Sequence, residues 1–162
     1  MKRALPGLLL ALTMGFCSDI AAVGPLAVEF RGASAGSREF FGFSAHRSAI
    51  GDVTGHYFSR STPGYPSPYV IEGRVTCVRV VGNRASLGGE VTRFFFEDWS
   101  DAAEKRGWYT FVQDNHGHPG VPDRISEHTY LTNEPTTNCP DPAVEPLTVD
   151  MTDGDVVISV GE

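Results

Sequence analysis

The sequence predicts an all-β fold, an antiparallel β-sandwich or flattened barrel of about seven or eight strands with a short helical or irregular insertion. Two observations carry this. Apolar residues alternate or come in short bursts instead of recurring at helical spacing, and 18 Gly and 11 Pro punctuate the 162 residues with turns. A third concerns stability: Cys77 and Cys139 are the two cysteines left once an N-terminal leader is set aside, and an exported chain pairs such thiols.

The leader is read first. Lys2 and Arg3 precede an apolar stretch from Leu8 to Phe16, and small residues follow at Ala21, Ala22 and Gly24. That layout reads as a secretory signal peptide over residues 1–22, cleaved after Ala22. Even counted from Leu5 to Phe16, the run falls short of the roughly 20 residues that cross a bilayer. Phe16, not a small residue, precedes Cys17, which argues against lipidation. Residues 23–162 then form a single β domain, secreted or periplasmic, with no membrane span after signal removal. Removing Lys2, Arg3 and Asp19 takes the net charge from −7 to near −8. So acidic a surface repels phosphate, which argues against nucleic acid and anionic membranes.

Along the mature chain, Phe41, Phe43 and Ala45 share one face of Glu39–His46, with Ser44 and His46 on the other. After the turn Ile50-Gly51-Asp52, Thr54, His56 and Phe58 oppose Val53, Tyr57 and Ser59. Three prolines make Ser61–Pro68 a loop. Tyr69–Arg93 is a hairpin about Gly82-Asn83, and counting outward from that turn pairs Val81 with Arg84, Val80 with Ala85, Val78 with Leu87 and Thr76 with Gly89. Val78, Val80, Ala85 and Leu87 then face the core, while Cys77 and Arg79 face away opposite Gly88 and Ser86. Gly88 leaves room beside Cys77 for a crossing segment carrying Cys139.

Phe94–Arg106 breaks the pattern as an insertion, in which Ser100 is placed to cap a short helix. Strands resume over Tyr109–Gln113, Arg124–Thr132 with Ile125 and Leu131 on one face, and Val156–Val160 after the turn Asp153-Gly154. Thr132–Leu147, rich in Pro, Thr and Asn, reads as a long surface connection.

The hairpin Thr76-Cys77-Val78-Arg79-Val80-Val81-Gly82-Asn83 and its return strand to Gly89 form one element of a resemblance. The loop Asp114-Asn115-His116-Gly117 with Pro122-Asp123-Arg124-Ile125-Ser126 is a second, and Cys139 with the closing Gly154-Asp155-Val156-Val157 a third. Together they resemble a family of small secreted bacterial β-domains of unassigned function. The resemblance runs from about Phe40 to Gly161 and implies the fold and export, but no catalytic residue. Phe94–Arg106 is longer and more aromatic than that pattern.

Several clusters could carry chemistry. Asp114, His116, His118, Asp123 and His128 offer imidazoles and carboxylates of the kinds zinc and copper accept, and Asp114, Asn115 and Asp123 offer hard oxygens for calcium, though without the closing Glu of a calcium loop. The same loop also reads as turn chemistry, Asp114 and Asn115 closing turns while Gly117, Gly120, Pro119 and Pro122 shape the backbone. Gly42-Phe43-Ser44-Ala45-His46 lacks the last glycine and the strand-to-helix turn of an esterase nucleophile elbow. Glu72 and Glu90 read as solvent-facing strand charges before they read as a glycosidase pair. Phe94, Phe95, Phe96, Trp99, Trp108 and Tyr109 are either core or a contact surface for a protein, peptide or carbohydrate, and three consecutive phenylalanines cannot all face one side of a strand. The expectation is an exported binding or structural module without catalysis and with no cofactor beyond a possible metal ion. A metal-binding secreted protein and a small hydrolase are the alternatives.

Overall fold

The computed structural model describes residues 25–31, 34–35, 39–64, 66–97, 104–116, 118–144, 147, 149–152 and 154–161. The signal peptide, Trp99, the Ser100 helix start, Gly117 and Asp153 lie outside them. The strands are β1 (Leu26–Arg31), β2 (Ser34–Ala35), β3 (Glu39–Arg47), β4 (Val53–Ser61), β5 (Tyr69–Val81), β6 (Arg84–Phe96), β7 (Gly107–Gln113), β8 (Arg124–Ile125), β9 (Tyr130–Thr132), β10 (Val149–Asp150) and β11 (Asp155–Val160). They form one antiparallel sheet in the order β10-β8-β7-β6-β5-β4-β3-β1-β11, with β2 added to β3 and β9 to β7. The sheet curls into a half-barrel, as an all-β flattened barrel requires. Four of the strands are two- or three-residue pieces, so the longer ones match the expected count.

Alternation decides which face is buried. Phe41, Phe43 and Ala45 of β3, Tyr57 and Ser59 of β4, and Val78, Ala85 and Leu87 of the β5–β6 hairpin all point inward and are buried. Each large apolar side chain so enclosed contributes roughly 1.5–3 kcal/mol. Trp108 of β7 is fully enclosed and stacks on Tyr57, ring centroids 4.3 Å apart. Its indole occupies the space that the missing side chain of Gly73 leaves, since a Cβ there would lie 2.1 Å from Nε1.

The hairpin register holds from the turn to Cys77 opposite Gly88, with Gly82 at φ 60° in the turn. It then departs from expectation, because Gly89 pairs with Val75 and leaves Thr76 as an extra residue in a β-bulge. Tertiary contacts hold the bulge: Thr76 Oγ1 donates to the Thr136 carbonyl at 2.7 Å, and Thr136 N–H donates to that of Gly89. The connection after β9, through Thr136, Cys139, Pro140 and Asp141, therefore lies across the outer face of the hairpin. There the Cys77–Cys139 disulfide, with Cα atoms 5.6 Å apart, fastens it. Ser86 Oγ donates to the Pro140 carbonyl and Arg79 pairs with Asp141.

Three boundaries differ from those read in the sequence. Phe94–Phe96 belong to β6 and not to an insertion, because they pair with Ile71, Val70 and Tyr69 of the long partner strand. β7 starts at Gly107. Arg124–Thr132 is two strands, β8 and β9, and between them Ser126 Oγ bonds Thr110 Oγ1 and donates to the His128 carbonyl. β1, which the sequence reading did not single out, pairs with both β3 and β11.

Candidate functional site

One end of the half-barrel is marked by an enclosed acid. Glu39 opens β3 two residues before Phe41, so the alternation that buries Phe41 and Phe43 turns Glu39 inward as well. The register sets Glu39 opposite Ser61 and Tyr69 opposite Phe96 at this end, with Phe41, Ser59, Ile71 and Phe94 forming the next row inside. Tyr69 O–H donates to Glu39 Oε2, and Ser59 Oγ donates to the same oxygen at 2.9 Å. The second carboxylate oxygen receives no hydrogen bond among the described residues.

Burial is the largest influence on Glu39 and raises its pKa, while its hydroxyl donors and the neighbouring His128 act in the opposite direction. Burial, followed by the Glu39 charge, also pushes the Tyr57 and Tyr69 hydroxyls up, so both stay protonated donors. Tyr57 O–H is joined to Thr129 Oγ1, which ties the segment after β8 across this end. Tyr69 stacks on Phe96 with centroids 5.8 Å apart, and Phe94 tilts against Phe96 at 6.4 Å. All three rings are half-buried.

The aromatics singled out in the sequence divide accordingly. Phe94 and Phe96 face this end, whereas Phe95 points outward and is 52% exposed, as alternation requires. Trp108 is core, and Tyr109 stacks on Tyr130 on the outer face of β7. On the outer face of β3–β6, Phe95 lies in a cross-strand row with Val70, Arg60 and Phe40, and the Arg60 guanidinium sits 5.2 Å from the Phe40 ring centroid.

The Asp114–Asp123 loop does different work. Asp123 Oδ1 accepts the N–H of Asn115 at 2.6 Å, and its Oδ2 accepts that of Val156 at 2.6 Å. Asp114 accepts the N–H of His116 at 2.7 Å and that of Ile158 at 3.0 Å. Two carboxylates thus meet alternate N–H groups on the edge of β11 that β1 does not occupy. They join the last strand to the loop after β7. His116 Nδ1 lies 3.4 Å from Asp155, and His116 and His118 line an open cleft of about 320 Å³. His128 lies elsewhere, on the segment that descends β7 toward Glu39. Among the described residues no three His, Cys, Asp or Glu side chains are grouped as a metal site.

A Ser–His contact does form, between Ser44 Oγ and His56 Nδ1 at 3.0 Å. These are cross-strand partners on the solvent face of β3–β4, and no carboxylate bonds the imidazole among the described residues. Glu72 and Glu90 pair with Arg93 and Arg74 on the same outer face.

The sequence reading missed Glu39, Ser59, Tyr69 and Thr129 as a group. Its available signal was phase: Glu39 and Ser59 are polar residues in step with buried ones on their strands. Among the described residues no helix is long and apolar enough to cross a membrane. Compared with family models, curated proteins and solved structures, the chain matches none of them.

Proposed function

We propose that this chain is an exported binding module without catalysis, and that it takes its ligand at the Glu39 end of the half-barrel. The observation that carries the reading is the Glu39 carboxylate, fixed through one oxygen by Tyr69 and Ser59, beside the half-buried rings of Tyr69, Phe94 and Phe96. A few convergent polar groups among aromatic walls are what ligand sites are built from. Export is supported by the N-terminal pattern, by the disulfide and by the resemblance to small secreted bacterial β-domains. A protein, peptide or carbohydrate partner would present the bound group.

The test is a titration of the oxidised, isotope-labelled chain with a library of small fragments, read by amide chemical shifts. Shifts gathered at residues 39–41, 59–61, 69–71 and 94–96 are expected. Shifts confined to the outer Phe40 and Phe95 face, or none at all, would overturn the reading.

A further inference from the structure

We propose that the outer face of β3–β6 docks an extended peptide segment of a partner protein, one that carries a carboxylate beside apolar residues. Arg60 takes the carboxylate, and Phe58, Val70 and Phe95 take the apolar side chains. This surface lies on the opposite side of the sheet from Glu39 and goes beyond the reading above.

Strand register builds the surface. Phe40, Arg60, Val70 and Phe95 follow one another across the four strands. At the usual strand spacing the row is about 14 Å long. In the next row Phe58 stands opposite Gly42 and lays its ring over that glycine, where a Cβ would meet Phe58 Cε1 at 2.5 Å. Phe58 is 39% exposed and Phe95 52%, and neither ring stacks on another among the described residues. Large rings left in water within one patch mark a contact surface. The connection after β9 crosses the hairpin at Cys77, Arg79 and Ser86, toward the turn and away from these rows.

Charge selects the occupant. Arg74 and Arg93 of the same face pair with Glu90 and Glu72, whereas Arg60 meets no carboxylate among the described residues and sits over Phe40 instead, 5.2 Å from its ring centroid. An exposed guanidinium steadied on an aromatic ring keeps its planar fork for an acid brought from outside. A second copy docking by the same face brings another unpaired arginine, its own Glu72 and Glu90 being engaged already. A neutral saccharide brings no charge to Arg60, and a polyanion is repelled by the net charge of −7. One carboxylate among apolar side chains answers both parts of the surface. An extended peptide presents alternate side chains on one side about 6.6 Å apart, so an acid over Arg60 sets apolar residues two and four positions away over Val70 and Phe95.

The experiment titrates the oxidised chain with acetyl-Glu-Ser-Leu-Ser-Leu-amide and with the reversed peptide acetyl-Leu-Ser-Leu-Ser-Glu-amide, each against its Gln counterpart, following affinity by calorimetry. At least one Glu peptide should bind saturably and about tenfold more tightly than its Gln counterpart, the ratio expected of one exposed charge-assisted contact. In Arg60→Gln that preference should vanish, and Phe95→Ser should weaken the Glu and Gln peptides alike. Arg124→Gln removes the same charge at β8 and should leave binding unchanged. A preference for Glu that persists in folded Arg60→Gln overturns the inference, because the acid is then held elsewhere, the Glu39 end included. Equal binding of the Glu and Gln peptides, or of neither orientation at all, overturns it too. Displacement of a bound peptide by cellohexaose would assign the face to carbohydrate and overturn it as well. None of these outcomes bears on the fragment titration that tests the Glu39 end.

Discussion

Asp123 and Val156 are 33 positions apart, yet the Asp123 carboxylate accepts the Val156 backbone N–H at 2.6 Å, where a neighbouring strand would otherwise offer a carbonyl. The other oxygen of the same group holds Asn115. Asp123→Asn keeps one acceptor and turns an NH₂ group toward a backbone donor. The expected loss is about 1–3 kcal/mol in urea denaturation, because an enclosed donor is left unmatched. Asp150→Asn, whose pairing with Arg124 is exposed, should stay within about 0.5 kcal/mol of the parent. Equal effects from the two substitutions would show that the carboxylate seam does not hold β11.

The disulfide closes a segment with a sequence separation of 62 residues. Chain entropy for a loop of that size gives about 4 kcal/mol of stabilisation. Cys77→Ser/Cys139→Ser should unfold at a denaturant midpoint lower by that amount, and reductant should leave the double variant unchanged. A midpoint matching that of the oxidised parent would remove the bridge from the account of stability.

Gly73 is needed for its missing side chain, since Trp108 occupies that place. Gly73→Ala should cost about 1–3 kcal/mol through overpacking and weaken the near-ultraviolet circular dichroism of the Tyr57–Trp108 stack. Gly64→Ala makes a useful contrast, because nothing lies within 4 Å of its added Cβ, although its φ of +86° is strained for alanine. Unchanged aromatic dichroism in Gly73→Ala would contradict the packing described.

Folding raises the pKa of Glu39, with burial the first cause. The folded state then binds the proton more tightly than the unfolded state. The linked stability is complete below the ordinary carboxylate value of about 4.3 and is lost as pH rises through the folded value. Glu39→Gln removes this dependence. Its melting temperature should gain on that of the parent as pH rises from about 4 to 7, with the other carboxylates cancelling in the difference. A difference that stays flat with pH, or runs the other way, would mean that the acid is not desolvated as the structure has it.

Zinc or copper added to the purified chain should leave its melting temperature unchanged. The oxygens of Asp114 and Asp123 are engaged by backbone N–H groups, and His128 stands apart from His116 and His118. Stoichiometric metal in native mass spectrometry, with a raised melting temperature, would favour the metal-binding alternative instead.

The amino-acid sequence by itself determined what depends on local periodicity: the longer central strands, the turns at Gly51 and Gly82, and the inward faces of β3 and of the β5–β6 hairpin. It also placed Gly88 beside Cys77, because register counted from a two-residue turn is local arithmetic. Tertiary structure decided the rest. The Thr76 bulge depends on Thr136, 60 residues away, and the division of Phe94, Phe95 and Phe96 between two faces depends on β5 continuing as their partner. Asp123 looked like a ligand in sequence because its charge was visible and its partner was not; the partner is a backbone N–H supplied by curling the sheet until β11 meets the loop after β7. Glu39 reads as an ordinary strand-end acid for the same reason. Only closure of the half-barrel brings Tyr69 and Ser59 to one of its oxygens and removes water from around it, because desolvation belongs to the enclosed volume and not to any single segment.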